Sequence, residues 1–169
     1  MELAISRATG PKVVCIVISS LLAMLVAQIW KVIYHSVKQK RFAWRYFFTT
    51  GGMPSSHSST MVSMVTTLAI LQLRYEGGVG YEFAIAVAFT IVVIYDAMGI
   101  RYQAGKHADM LNKLLKTEPE NVREEVGFDE NNELKVSLGH KPLEVAIGIT
   151  LGVIVGILCG IMYILIINV

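Results

Sequence analysis

The chain has 169 residues, of which 54% are hydrophobic and 17% charged, with a mean hydropathy of +0.55 and a formal net charge of +2. That is too apolar for a soluble domain of this length and too nearly neutral for a nucleic-acid binder, so the composition points to a membrane protein with no nucleic acid among its partners. Cys15 and Cys159 fall in apolar segments without metal-ligand spacing and read as small apolar side chains, which argues against a disulfide framework.

The apolar residues arrive in blocks close to the roughly 20 residues that cross a bilayer core of about 30 Å. Blocks at 13–34, 58–73, 81–100 and 143–167 predict four spans in a single membrane domain covering 1–169, an all-α polytopic helix bundle. The first block has no acid or base before Lys31 and lacks the small-x-small cleavage site of a signal peptide, so it reads as an uncleaved helix. An even number of spans puts both termini on one side and the polar loops 35–57 and 101–142 together on the other. The first loop carries Lys38, Lys40, Arg41 and Arg45. The second begins "RYQAGKHADMLNKLLKT", where Met110, Leu111, Leu114 and Leu115 have helical spacing and predict a short surface helix. It continues "EPENVREEVGFDENNEL", acidic and broken by Pro119 and Gly127, which predicts an exposed loop. In the last span Gly148, Gly152, Gly156 and Gly160 recur every four residues, a ridge that lets another backbone approach closely. Either another span or a second protomer fits against it, the latter making a homo-oligomer.

The chemistry gathers in the polar loops. In "GGMPSSHSST", Pro54 stands near a helix start, Ser55 or Ser56 suits the N-cap, and His57 falls in the first turn, where free N–H groups and the helix dipole favour an anion. As a plain alternative His57 is an interfacial side chain beside a serine cap. In "LGHKPLEVAIG", His140 and Glu144 stand four apart at another helix start, so the carboxylate can hold one imidazole nitrogen and leave the other as nucleophile or base. Taken alone that pair is equally a helix-start salt bridge. Lys38, Arg45 and Arg101 supply cations on the same side as both histidines, and phosphoryl transfer needs such donors around its equatorial oxygens. Each of these cations alone is also an ordinary interfacial anchor. Asp96, near the end of the third span, is costly there unless paired or wet and is placed to brace Arg101.

Lys38 with Arg45 seven residues on, "PSSH" at Pro54 to His57, and His140 with an acid at Glu144 together resemble the three motifs of the type 2 phosphatidic acid phosphatases and vanadium haloperoxidases, and more closely a divergent branch of small membrane proteins in that superfamily. The resemblance implies that His140 attacks phosphorus to give a phosphohistidine, that His57 protonates the leaving oxygen, and that Lys38, Arg45 and Arg101, with Ser55 and Ser56, hold the phosphate. It implies no metal and no cofactor. The chain departs from the pattern at Tyr46, where the family has proline, at Ser56 for glycine, at Glu144 for aspartate, and at Leu134, where an arginine is expected before the histidine. Arg101 is the substitute for that arginine. It also has the family spacing to His107, a competing nucleophile that lacks an acid four residues on, where Leu111 stands.

The expected protein is therefore an integral membrane phosphatase, in a bacterial cell membrane, acting on a phosphomonoester or pyrophosphate of a lipid. By resemblance the candidate substrates are phosphatidic acid, phosphatidylglycerol phosphate and a polyprenyl diphosphate. The alternative is a lipid-phosphate binding or transport protein without catalysis. Which side of the membrane faces the site stays open, because the basic residues that would set orientation are the ones assigned to phosphate.

Overall fold

The structure, a computed structural model, describes residues 2–49, 51–128, 133–134, 136 and 139–167, with side chains described from Gly10 onward. Among the described residues six helices follow in order: α1 (Glu2–Gln39), α2 (Ser56–Tyr75), α3 (Tyr81–Met98), α4 (Ile100–Thr117), α5 (Glu120–Glu125) and α6 (Pro142–Ile167), with a 3-10 turn at Trp44–Phe48. Among the described residues there is no strand. α1, the α3–α4 run and α6 are long and apolar enough to cross a membrane. α2 is the fourth member of the bundle and the least obvious from hydropathy. It packs against α1, α3 and α6, so its polar residues can face inward while its neighbours carry the lipid-facing surface.

Small residues at four-residue spacing explain the packing. On α1 the positions Ser19, Ala23, Ala27 and Lys31 are all fully buried. On α2 the buried face includes Ser55 at its cap, Ser59, Ser63, Thr67 and Leu71. On α6 it is Gly148, Gly152, Gly156 and Gly160. Residues four apart lie on one helix face, and ridges at that spacing interlock when two helices cross closely. Without a hydrophobic drive between helices in lipid, such contacts rely on dispersion and interhelical hydrogen bonds. The Ser19 hydroxyl meets those of Ser63 and Thr67 at 2.5 and 2.7 Å, and Thr67 Oγ1 donates to the Gly156 carbonyl at 3.2 Å. A Cβ at Gly152 would lie 2.7 Å from the Ser59 carbonyl oxygen, and one at Gly156 2.8 Å from that of Ser63. The glycine ridge is thus filled by α2 of the same chain and forms an intrachain seam.

The N-terminal half of α1 and the C-terminal half of α6 lie at the end of the bundle opposite the polar loops. There Lys12 pairs with Glu76 at 3.3 Å, Cys15 Sγ points to the Cys159 carbonyl at 3.7 Å, and the short 76–80 turn joins α2 to α3. At the other end α1 runs to Gln39, beyond the expected limit at residue 34, so the loop begins later than the sequence suggests. Lys40, at φ 51°, ends the helix. The loop is fastened back on α1 by stacking of His35 on Tyr46, by Gln39 donating to the Tyr46 hydroxyl at 2.9 Å, and by the Ala43 amide donating to Ser36 Oγ at 2.9 Å.

The expected surface helix is α4, which leaves α3 through a break at Gly99. The segment after it, expected as loop throughout, contains the short helix α5: Pro119 caps that helix at its first turn instead of breaking it. Asn112 pins the following chain to α4 by donating to the Leu134 carbonyl at 2.9 Å and accepting from its amide at 3.0 Å. The rest of the acidic stretch, 129–132, lies outside the described residues.

Candidate active site

Two of the helices that begin at the polar end, α2 and α6, each carry a histidine at the start. Ser55 caps α2, its hydroxyl accepting from the Ser58 amide at 3.3 Å and from the Ser58 hydroxyl at 3.0 Å. The Ser55 amide donates to the Glu144 carbonyl at 3.0 Å, which ties the start of α2 to the first turn of α6. Gly148 makes that contact possible, since a Cβ there would lie 2.6 Å from the Ser55 carbonyl oxygen. The result places the rings of His57 and His140, 83 positions apart in sequence, with centroids 5.9 Å apart. Two helix N-termini, each with free amides and the positive end of a dipole, meet at the same point.

His140 is held from three directions. Its amide donates to the Ala97 carbonyl at the end of α3 at 2.9 Å. Its Nδ1 lies 3.2 Å from Glu144 Oε2, and the same carboxylate oxygen accepts from the Lys141 amide at 3.1 Å. Gly139, at φ +77°, presses on the backbone of Arg101 and Tyr102, where any Cβ would collide. With Nδ1–H donated to the carboxylate, the tautomer leaves the lone pair on Nε2. Among the described residues that atom is buried with no partner in hydrogen-bond geometry, and so is Nδ1 of His57, while the Gly52 backbone lies close enough to His140 to favour its charged form. Burial, with His140 only 2% exposed, is the largest influence on its titration and holds the imidazole below the ordinary pKa of 6.5; the Glu144 hydrogen bond pulls the other way and does not overcome it. The ring is therefore neutral at pH 7, with one nitrogen fixed and the other free to attack or accept a proton.

Lys31 is the residue that the sequence reading passed over. It is fully buried, and among the described residues its Nζ makes two long hydrogen bonds, to the Thr49 carbonyl at 3.4 Å and to Ser56 Oγ at 3.5 Å. It lies within electrostatic reach of His57, His140 and Glu144. An ammonium inside a membrane bundle is costly unless an anion or several acceptors meet it. Two signals pointed to it: it closes the four-residue row Ser19, Ala23, Ala27, Lys31, and it stands seven residues before Lys38, the same interval that separates Lys38 from Arg45.

The other predicted cations divide. Arg101 lies within electrostatic reach of His57 and is paired through Nε with Asp96 Oδ2 at 2.5 Å, the bracing expected of that aspartate. Lys38 and Arg45 are not brought to the histidines. Lys38 sits exposed on the last turn of α1, and Arg45 is exposed in the 3-10 turn, lining a separate surface cleft with Gln39, Arg41 and Tyr46. Lys38 was assigned to the first loop because its start was placed five residues early; Arg45 does lie in that loop, but on its exposed side. Ser55 and Ser56 are buried at the site, whereas His107 is exposed on α4 in a shallow hollow with Tyr95, Gly99 and Gln103. Among the described residues no group of three or more His, Cys, Asp or Glu side chains is arranged to hold a metal ion.

Two hollows flank the paired rings. One, of about 350 Å³, is lined mainly by apolar side chains of α1, α2 and α3 and opens on His57 and Ser56. The other, of about 480 Å³, is lined by Gly51, Gly52, Lys106, Asp109, Lys141 and Glu144.

The fold and site together define a membrane helix bundle with an imidazole pair, His140 neutral, and a buried cation set at two helix N-termini. Comparison with known proteins gives the class a family: residues 14–155 match the family described as the divergent PAP2 family, and the chain belongs to it. It is 34% identical over 138 residues to a Bacillus subtilis (strain 168) protein described as "Uncharacterized membrane protein YuiD", covering 78% of this chain and 84% of that one. No solved structure matches.

Proposed function

We propose that this protein is a phosphatase of a bacterial cell membrane that hydrolyses a lipid phosphomonoester or pyrophosphate through a phosphohistidine. The observation that carries the reading is the 5.9 Å separation of the His57 and His140 rings, with an unpartnered nitrogen on each. Membership of the divergent PAP2 family supports it.

In the first step His140 Nε2 attacks phosphorus. The N–P bond forms as the bond from phosphorus to the lipid oxygen breaks, and His57, which enters the cycle as the imidazolium beside the bound phosphate, gives that oxygen a proton and becomes neutral. In the second, His57 takes a proton from water, the resulting hydroxide attacks phosphorus, and the N–P bond breaks to release inorganic phosphate and restore His140. Glu144 keeps Nδ1–H in place and stabilises the positive charge that grows on the ring. Lys31 and Arg101, with the amides at the start of α2, face the phosphoryl oxygens, where charge accumulates. Ser56 holds Lys31, and Asp96 holds Arg101.

The test is phosphate release from a panel of lipid phosphates by detergent-purified protein, with and without chelator. Release that persists in chelator and disappears in His140→Ala is the expected result. Phosphate lipid bound without release would leave a carrier, and activity lost to the chelator would contradict the metal-free mechanism.

A further inference from the structure

Arg41 and Arg45 carry charge that no described side chain balances. The chain has no Asp or Glu between Glu2 and Glu76, and among the described residues neither guanidinium has a carboxylate partner. Both line the surface cleft beyond the end of α1, about 500 Å³ in volume, and its walls are set in place. Gln39 Oε1 accepts from Arg41 Nε at 3.2 Å, which orients the guanidinium and leaves its two terminal nitrogens to a ligand. Gln39 Nε2 donates to the Tyr46 hydroxyl at 2.9 Å, and the Tyr46 ring stacks on His35 with centroids 3.6 Å apart. The Tyr46 hydroxyl accepts that bond and keeps its own proton to donate. Two guanidinium groups and a phenol proton are donors that suit phosphate oxygens.

The position of the cleft decides what kind of anion reaches it. The outer surface of α1 is apolar as far as Val37, 74% exposed, and the chain turns basic at the next residue. Around the cleft Phe42, Trp44 and Phe48 are 79, 57 and 72% exposed. Bulky aromatic side chains beside arginines mark the depth at which acyl chains give way to headgroups. A soluble anion would leave those rings in water, whereas a lipid covers them and lays its phosphate on the arginines.

We propose that this cleft binds the headgroup of an anionic phospholipid that is not a substrate: a phosphodiester with no positive charge of its own, held by Arg41, Arg45 and the Tyr46 hydroxyl. A zwitterionic headgroup brings an ammonium into the field of both arginines and is disfavoured. Thr49 lines both this cleft and the hollow beside His57, so the bound lipid borders the candidate active site without entering it. The inference does not depend on hydrolysis, since it uses neither histidine.

The experiment takes full-length protein from nanodiscs of dioleoyl phosphatidylcholine and dioleoyl phosphatidylglycerol in equal parts and counts the retained lipids by native mass spectrometry. Wild type should retain phosphatidylglycerol in preference to phosphatidylcholine. Arg41→Gln or Arg45→Gln should each lower the preference about fivefold, and the double variant about 30-fold, from the attraction that each charge adds at a membrane surface. Both side chains are exposed, so helical content should not change. Arg45→Lys, which keeps the charge, should recover most of the preference, and His140→Ala should match wild type. Equal retention of the two lipids by wild type, or an unchanged preference in the double variant, would overturn the proposal. So would a loss in His140→Ala, which would put the lipid at the histidines, or displacement of the lipid by excess inorganic phosphate, which would make the cleft a site for a soluble anion.

Discussion

The middle of the bundle and its polar end are built on the same rows of residues and put to different use. In the middle, Ser19, Ser63, Thr67 and Gly156 satisfy one another across three helices. Toward the polar end the α1 row reaches Lys31, and the α6 row, followed backward from Gly148, reaches Glu144 and then His140 at the same interval. The close approach that small residues create in the middle is inherited at the end by ionisable groups, and there Nε2 of His140 and Nδ1 of His57 are left without partners. Packing and chemistry are thus one pattern, with only the residue type changed in the last turns.

That contrast can be broken most severely at its end. His140→Ala removes the nucleophile while leaving the four-residue seam intact, so phosphate release should fall by about 10³-fold or more with helical content and monodispersity unchanged. Lys31→Met replaces a buried ammonium by an apolar chain of similar length. Turnover should fall about 100-fold, with stability equal or improved, because the lone charge was costly to bury. Lys38→Met, the exposed lysine of the same helix, should stay within about twofold in the same assay.

A disturbance of the middle should show the reverse: Gly152→Ala forces a Cβ toward the Ser59 carbonyl, 2.7 Å away, and should cost about 1–3 kcal/mol in reversible unfolding before it touches catalysis. The smallest effect is expected from the pH profile. Activity needs neutral His140, so kcat/KM should fall on the acid side as pH drops through a pKa below 6.5. Glu144 raises that pKa, so Glu144→Gln should move the acid limb to still lower pH while also slowing turnover.

The four-glycine row on α6 was readable because glycine is rare inside an apolar helix and its spacing stands out. The equivalent row on α1 uses alanine and serine, which vanish among Leu, Val and Ile, and so Lys31 looked like the end of a span instead of the end of a buried ridge. The exchange of Lys31 for Lys38 follows from where α1 stops, and that is decided by tertiary contacts such as His35 on Tyr46 that no local pattern contains. The two histidines were legible because each stands in a helix start, with Pro54 and serines before one and Gly139 and Pro142 around the other. Their meeting was not legible, since it depends on the Ser55 amide reaching the Glu144 carbonyl across the α2–α6 seam.

The most direct test of a shared phosphoryl site is rapid quenching of the purified protein with ³²P-labelled p-nitrophenyl phosphate, followed by mass-spectrometric mapping of the acid-labile label. The account predicts label on His140, none in His140→Ala, and accumulation in His57→Ala, because a good leaving group needs no proton but the second step still needs a base. Label on His107, or turnover with no phosphoenzyme in any of the three proteins, would contradict it.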